Sequence, residues 1–432
     1  MCRERLMAGL QIGLIAVLLI SAGCAAPVSQ KKVRAPQLTA GEEMSVWQQV
    51  YQQIIQRNGG IYPDQELNAY VNHVGQQLIS GQFVPESEYS FQVVNDSVPT
   101  TYSTPAGYVA VSRGLLLALQ TEAQLAAVLS HEIGHLTMRH HMQWTNLMAL
   151  PGPSVELRNA LSPESDYVKL AASLPQGESG LVEQKFNDEQ EKEADRIAID
   201  LLVSAGYLPT AEVEVQMILF DRFDSKTDTG ESDHAGLRHP LSPERRQAAR
   251  DFGASRYSQV GGRSGYLEYA EAVEGLRQVE KGYALFDQSL QLERQGQVGK
   301  AIDSYHQALQ VAPDEALILA GLGLAYLRRE DPIPAFRYLT KAVNLQKNYA
   351  QSRLGLGYLY LQKGEYVQAI EHLEKSLQLS PSVEAVFLLA DAQLKIEQKI
   401  KARDLYLIVT SLTPDGKLGR LAGSRLEQLT GE

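Results

Sequence analysis

The sequence predicts a mainly α chain of two unlike halves: an α+β domain with a small sheet, then an α-solenoid of repeated helix pairs. Three observations predict it. Apolar residues recur at three- and four-residue steps over most of the chain, which is the helical period. Residues 89–94 and 108–112 read instead as short strands rich in Val and Tyr, the first alternating and ending at Asn95-Asp96. After about residue 275 the sequence repeats with a 34-residue period.

The 432 residues are 44% hydrophobic and 21% charged, which excludes global disorder and suggests two or three domains. A net charge of −11 without a strongly basic stretch argues against a nucleic-acid groove. The two cysteines, Cys2 and Cys24, both lie near the N-terminus. The folded body therefore has no disulfide, no Cys-based metal site and no cysteine nucleophile.

Arg3 and Arg5 precede an apolar run, 14–20, and small residues 21–23 lead to Cys24. That order describes a secretory signal over 1–23. The small residues ending at a cysteine resemble a bacterial lipobox, which implies lipidation of Cys24. Ala25 after the cysteine implies, by the same resemblance, the outer membrane rather than the inner one. Residues 24–40 read as a tether. The alternative is an uncleaved inner-membrane anchor, because 6–23 is just long enough to span.

Through the first half, Val46, Val50 and Ile54 and then Leu67, Tyr70, Val71, Val74 and Leu78 mark helix from about 41 to 80. Thr104-Pro105-Ala106-Gly107 is a turn before the second strand. Thr121-Glu122-Ala123-Gln124 has capping-box form, with Gln124 placed to reach back to the cap amide, and opens a long helix. Residues 150–180, rich in Pro, Gly and Ser, read as an irregular insert. Helices are expected over 188–205 and 211–220, and a polar loop over 221–240.

The long helix carries His131-Glu132-Ile133-Gly134-His135. Histidines four apart share a helical face and can grip one ion, while Glu132 beside them can take a proton from water. Leu125, Val128, Leu129 and Leu136 surround the pair, and a buried neutral imidazole needs a partner. A catalytic zinc site needs a third protein ligand. The best candidate is Glu191, in Glu191-Lys192-Glu193-Ala194-Asp195. Asp195, one turn on, can orient a ligand histidine through its second ring nitrogen. Glu189 and Glu193 are neighbours of the same type and stay open as alternatives.

These residues resemble the Ste-type and HtpX-like zinc metalloproteases, a zincin-like family with a His-Glu-x-x-His helix and a glutamate ligand. The segments 121–130, Arg139-His140 and 105–115 fit the same family, and the resemblance covers about 41–255. It implies one Zn2+ per chain held by His131, His135 and Glu191. The segment Arg238-His239-Pro240, followed by Arg245, also resembles a family segment lying near the metal. Pro240 biases His239 to an extended backbone, from which it could enter the cleft. His239 reads as a fourth ligand or a gate, and alternatively as an oxyanion stabiliser. Arg245 is favoured for the oxyanion, because it keeps its charge and its fork of donors.

The expected chemistry is peptide hydrolysis with Glu132 as general base. Endopeptidase activity rests on the resemblance. The strand 108–112 is expected to pair with an extended substrate backbone.

In the second half, Ala301, Ala335, Ala369 and Ala402 mark one position at spacings of 34, 34 and 33. Ser289, Gly323, Gly357 and Ala390 precede them by about twelve. Pro313, Pro381 and Pro414 follow by twelve, with Lys347 in place of a proline. This is the tetratricopeptide pattern, two helices per repeat. About four repeats and a capping helix through Leu418, Leu421 and Leu426 fill 275–432, behind a metalloprotease domain at 41–260. Such arrays bind protein partners. Metalloprotease and repeat halves together resemble proteases that act on outer-membrane proteins. That resemblance implies misfolded or misassembled envelope proteins as substrates and the barrel assembly machinery as a partner, in the periplasm. The alternative is a chaperone or scaffold in which the array dominates and proteolysis is minor.

Overall fold

The computed structural model describes residues 40–80, 89–141, 157, 160, 161, 170, 186–224 and 239–431. The expected leader, Cys24 and nearly all of the tether lie outside the described residues, as do most of the expected insert and residues 225–238 of the expected loop. Among the described residues, no helix is long and apolar enough to cross a membrane.

The first half begins with α1 (Ala40–Arg57) and α2 (Gln65–Ile79). The single helix expected over 41–80 is broken between them. Gly59 and Gly60 adopt φ of 87° and 81°, a left-handed backbone that ends a helix and costs other residues. Asp64 then caps α2, its side chain accepting from the Leu67 amide.

A three-stranded sheet follows, in the order β1-β3-β2. Strand β1 (Ser90–Val94) pairs in parallel with β3 (Tyr108–Ser112), and β2 (Thr101–Ser103) pairs antiparallel to the other side of β3. Strand β2 carries no sequence signal, since three residues are too few to show alternation. The arrangement also corrects a second expectation. Strand β3 is central, with both edges taken, so it has no free edge for a substrate; β2 holds the outer position instead.

The short α3 (Arg113–Ala118) leads to α4 (Glu122–Thr137). Thr121 caps α4 as expected, accepting from the Gln124 amide at 3.2 Å. The return bond differs by one residue: the Gln124 side chain accepts from the Gln120 amide at 2.8 Å. Helix α4 is buried from Glu122 through His135. Beside it run α5 (Asp188–Ser204), with a complete capping box at Asn187, and α6 (Ala211–Asp224). Then come α7 (Pro243–Tyr257), capped by Ser242, and α8 (Tyr266–Ala272), both missed in the sequence reading.

The second half is a run of helix pairs: α9 (Glu274–Arg294) with α10 (Val298–Val311), α11 (Ala316–Arg328) with α12 (Pro332–Leu345), α13 (Ala350–Lys363) with α14 (Tyr366–Leu379), and α15 (Val383–Lys395) with α16 (Lys399–Leu412). A last helix, α17 (Lys417–Thr430), covers the end. The repeat positions are fully buried at Ala301, Ala335, Ala369 and Ala402. Their small partners sit where helices cross: a Cβ on Gly323 would stand 2.7 Å from Leu339 Cγ, and one on Gly357 would stand 2.6 Å from Leu373 Cγ. One apolar cluster runs from the sheet and α4 into the first repeats, so the two halves share a core.

Candidate metal centre

Helix α4 presents His131 and His135 from one face, four residues apart, and their Nε2 atoms lie 3.0 Å from each other. Helix α5 brings Glu191 across from them. Its Oε1 is 3.6 Å from His135 Nε2 and its Oε2 is 3.4 Å from His131 Nε2. Gly134 allows this approach, because a Cβ there would stand 2.9 Å from the carbonyl of Ala194. From the segment before α7, His239 places Nδ1 3.2 Å from His131 Nε2 and 3.0 Å from Glu191 Oε1. One atom from each of the four residues lies within 4.8 Å of the others.

These separations fit a metal ion. Four ligands at about 2.0–2.1 Å in a tetrahedron stand about 3.3 Å apart; five separations among these four residues, taking either oxygen of Glu191, run from 3.0 to 3.6 Å. The donor set fits as well: three imidazoles and a buried carboxylate converge, with the Glu132 and Asp195 carboxylates beside them.

The outer nitrogens of both helix histidines are held. Asp195 Oδ1 lies 2.9 Å from His131 Nδ1. His140 Nδ1 lies 3.0 Å from His135 Nδ1, and its Nε2 lies 3.3 Å from Glu193 Oε2. Phe186 stacks on His135 at 3.7 Å between ring centroids. No spacing in the sequence marks His140 as a partner of His135. Its route to the site depends on Arg139, whose φ of 54° turns the chain back after α4. Glu193 is half-exposed and Glu189 is exposed, while Glu191 is fully buried, which sets Glu191 apart from the two alternatives.

Arg245 departs from its expected role. Nε donates to Asp195 Oδ2 at 2.7 Å and Nη2 to Asp195 Oδ1 at 2.6 Å. Nη1 pairs with Glu191 and donates to the Pro240 carbonyl at 2.9 Å. Four of its five N–H groups go to two carboxylates and a carbonyl, and Nη2 also lies 3.4 Å from His131 Nδ1, so the guanidinium braces Glu191 and Asp195 rather than standing free.

Glu132 is buried beside the cluster. Oε1 accepts from Thr101 Oγ1 at 2.6 Å and faces His239 Nε2 at 3.1 Å; Oε2 accepts from Ser103 Oγ at 2.5 Å. Thr101 and Ser103 are alternate residues of β2, so both point to one face. Burial raises the Glu132 carboxyl, but the His239 charge and hydrogen bond, the His131 charge and the Ser103 hydroxyl outweigh it and hold the group ionised. Next to Glu132 a small pocket of about 60 Å³ opens, walled by Pro99, Leu115, Val128, Val215, Leu219 and Leu241.

A His-Glu-x-x-His helix crossed by a glutamate helix, followed by stacked helix pairs, defines a metallopeptidase domain joined to a tetratricopeptide array. Residues 65–252 match the model of Peptidase family M48, and residues 286–332 and 350–382 match tetratricopeptide-repeat models. The chain thus carries an M48 peptidase domain followed by tetratricopeptide repeats. The beta-barrel assembly-enhancing protease of Escherichia coli is 26% identical over 226 residues, covering 50% of this chain and 44% of its own length. A Vibrio cholerae relative is 27% identical over 256 residues, covering 54% of this chain and 51% of its own. The mitochondrial metalloendopeptidase OMA1 of Arabidopsis thaliana is 33% identical over 123 residues, 27% of this chain and 23% of its own. The chain spans about half the length of the first two.

Proposed function

We propose that the chain is a zinc-dependent endopeptidase of the periplasm, lipidated at Cys24 and held at the outer membrane. It degrades misfolded or stalled outer-membrane proteins that its repeat array holds. On this reading 1–23 is a signal peptide, 24–40 a tether, 41–260 the peptidase and 275–432 the array, whose groove also meets the barrel assembly machinery. One observation carries it: a four-donor cluster with an ionised glutamate 3.1 Å from one donor, beside the outer strand of a sheet. The relatives named for barrel assembly support the envelope setting.

His131, His135 and Glu191 would hold the zinc, which supplies Lewis acidity toward a carbonyl and toward water. Asp195 and His140 fix the two imidazoles through their outer nitrogens. The outer edge of β2 receives an extended substrate backbone, so the enzyme reads main chain before sequence. An apolar side chain flanking the cleaved bond enters the pocket beside Glu132. Glu132 takes a proton at a carboxylate oxygen and returns it to the leaving amine. It must first part from His239, which in this structure pairs with it and occupies the fourth donor position. His239 therefore acts as the gate of a resting site.

Metal analysis of the purified protein, paired with casein cleavage with and without chelator, tests this reading. About one zinc per chain and chelator-sensitive cleavage are expected, with Glu132→Gln keeping metal and losing cleavage. Equal cleavage by wild type and Glu132→Gln would refute it and favour a scaffold dominated by the array.

A further inference from the structure

The loop 95–100 joins β1 to β2, and two side chains of the repeat half grip it. Asp287 on α9 accepts from Ser97 Oγ at 2.9 Å. Tyr283, one turn earlier on the same face, accepts from Asn95 Nδ2 at 2.9 Å and donates to Glu315 Oε2 at 2.5 Å. Buried Arg113 closes the network. Its Nε donates to Asn95 Oδ1 at 2.8 Å, its guanidinium lies 3.7 Å over the Tyr283 ring, and Nη2 is 3.9 Å from Asp287. From the other side the loop is pressed against Gly114, where an added Cβ would stand 2.0 Å from the Ser97 carbonyl. Three residues beyond Ser97 the chain supplies Thr100 to the pocket wall; one and three residues further, Thr101 and Ser103 hold Glu132.

We propose that Asp287 and Tyr283, on the first helix of the repeat array, are positioning residues for β2 and, through Thr101 and Ser103, for Glu132. The array is then a wall of the catalytic half as well as a binding surface. Neither side chain reaches the donor cluster; they act through a loop with little freedom to move on its own. A partner that shifts α9 would displace the strand that holds the base and receives the substrate. The proposal rests on the peptidase reading given above.

The test uses the full zinc-loaded chain in five forms: wild type, Ser97→Ala, Asp287→Ala, Asp287→Asn and the Ser97→Ala/Asp287→Ala double variant. Casein hydrolysis is measured together with amide hydrogen exchange over 97–103. Misplacing a catalytic element by a fraction of an ångström to one ångström costs about ten- to a hundredfold in rate. Ser97→Ala and Asp287→Ala should each lower kcat about tenfold with KM within twofold and zinc content unchanged. The double variant should fall no further than the worse single one, since both remove one bond. Asp287→Asn keeps an acceptor for Ser97 and should stay within twofold of wild type. Exchange over 97–103 should rise in all three alanine variants and stay flat over 131–135. Unchanged kcat, additive losses or unchanged exchange would overturn the proposal. If wild type cleaves nothing, the peptidase reading has failed, and the exchange of 97–103 alone decides the coupling.

Discussion

His239 touches both working parts of the site: Nδ1 lies 3.0 Å from Glu191 Oε1 and Nε2 lies 3.1 Å from Glu132 Oε1. One imidazole thus fills a donor position in the cluster and pairs with the carboxylate proposed as the general base. His239→Ala should leave zinc near one per chain, because His131, His135 and Glu191 remain. It should raise the cleavage rate several-fold by freeing Glu132. Steady-state casein hydrolysis checks this, and unchanged kinetics would remove His239 from the mechanism.

Asp195 bears on His131 and Arg245 together. Its Oδ1 stands 2.9 Å from His131 Nδ1, and both its oxygens accept from Arg245. Asp195→Asn keeps the size but loses the charge that fixes the imidazole. Outer partners of ligand histidines are worth about 10- to 100-fold in metal affinity. Competition with a chromogenic chelator should show zinc affinity weakened by that factor; wild-type affinity would show that Asp195 does not act through His131.

In the repeat half, Gly357 leaves its Cβ position 2.6 Å from Leu373 Cγ, where α13 and α14 cross. Gly357→Ala adds a methyl where there is no room and should cost about 1–3 kcal/mol, despite the better helix propensity of alanine. Thermal unfolding should register a lower Tm. A higher Tm would mean that the crossing has slack which the packing does not show.

Much of this molecule is written locally. The His131/His135 spacing, the Thr121 cap and the 34-residue recurrence each depend on neighbours within a few turns, and each appears in the fold. The break at Gly59-Gly60 was also visible, since paired glycines after Arg57-Asn58 are a helix stop that the apolar spacing obscured. Other features had no local signal. Strand β2 is three residues long and exists because β3 offers an edge. The return of His140 depends on one left-handed residue, Arg139. Arg245 bonds partners 50 and 54 residues upstream, so its free-looking fork could not be seen to be engaged. Asp287 and Ser97 are 190 residues apart, and only the stacking of the array on the sheet joins them.

The central claim is a single divalent ion between α4 and α5. The most direct measurement is the zinc content of wild type and Glu191→Ala by elemental analysis after gel filtration. The fold of each protein is checked by circular dichroism. One zinc per wild-type chain, and a loss of most of it in a folded Glu191→Ala, is the predicted result. A folded Glu191→Ala with full zinc, or a wild type with none under metal-replete conditions, would contradict it.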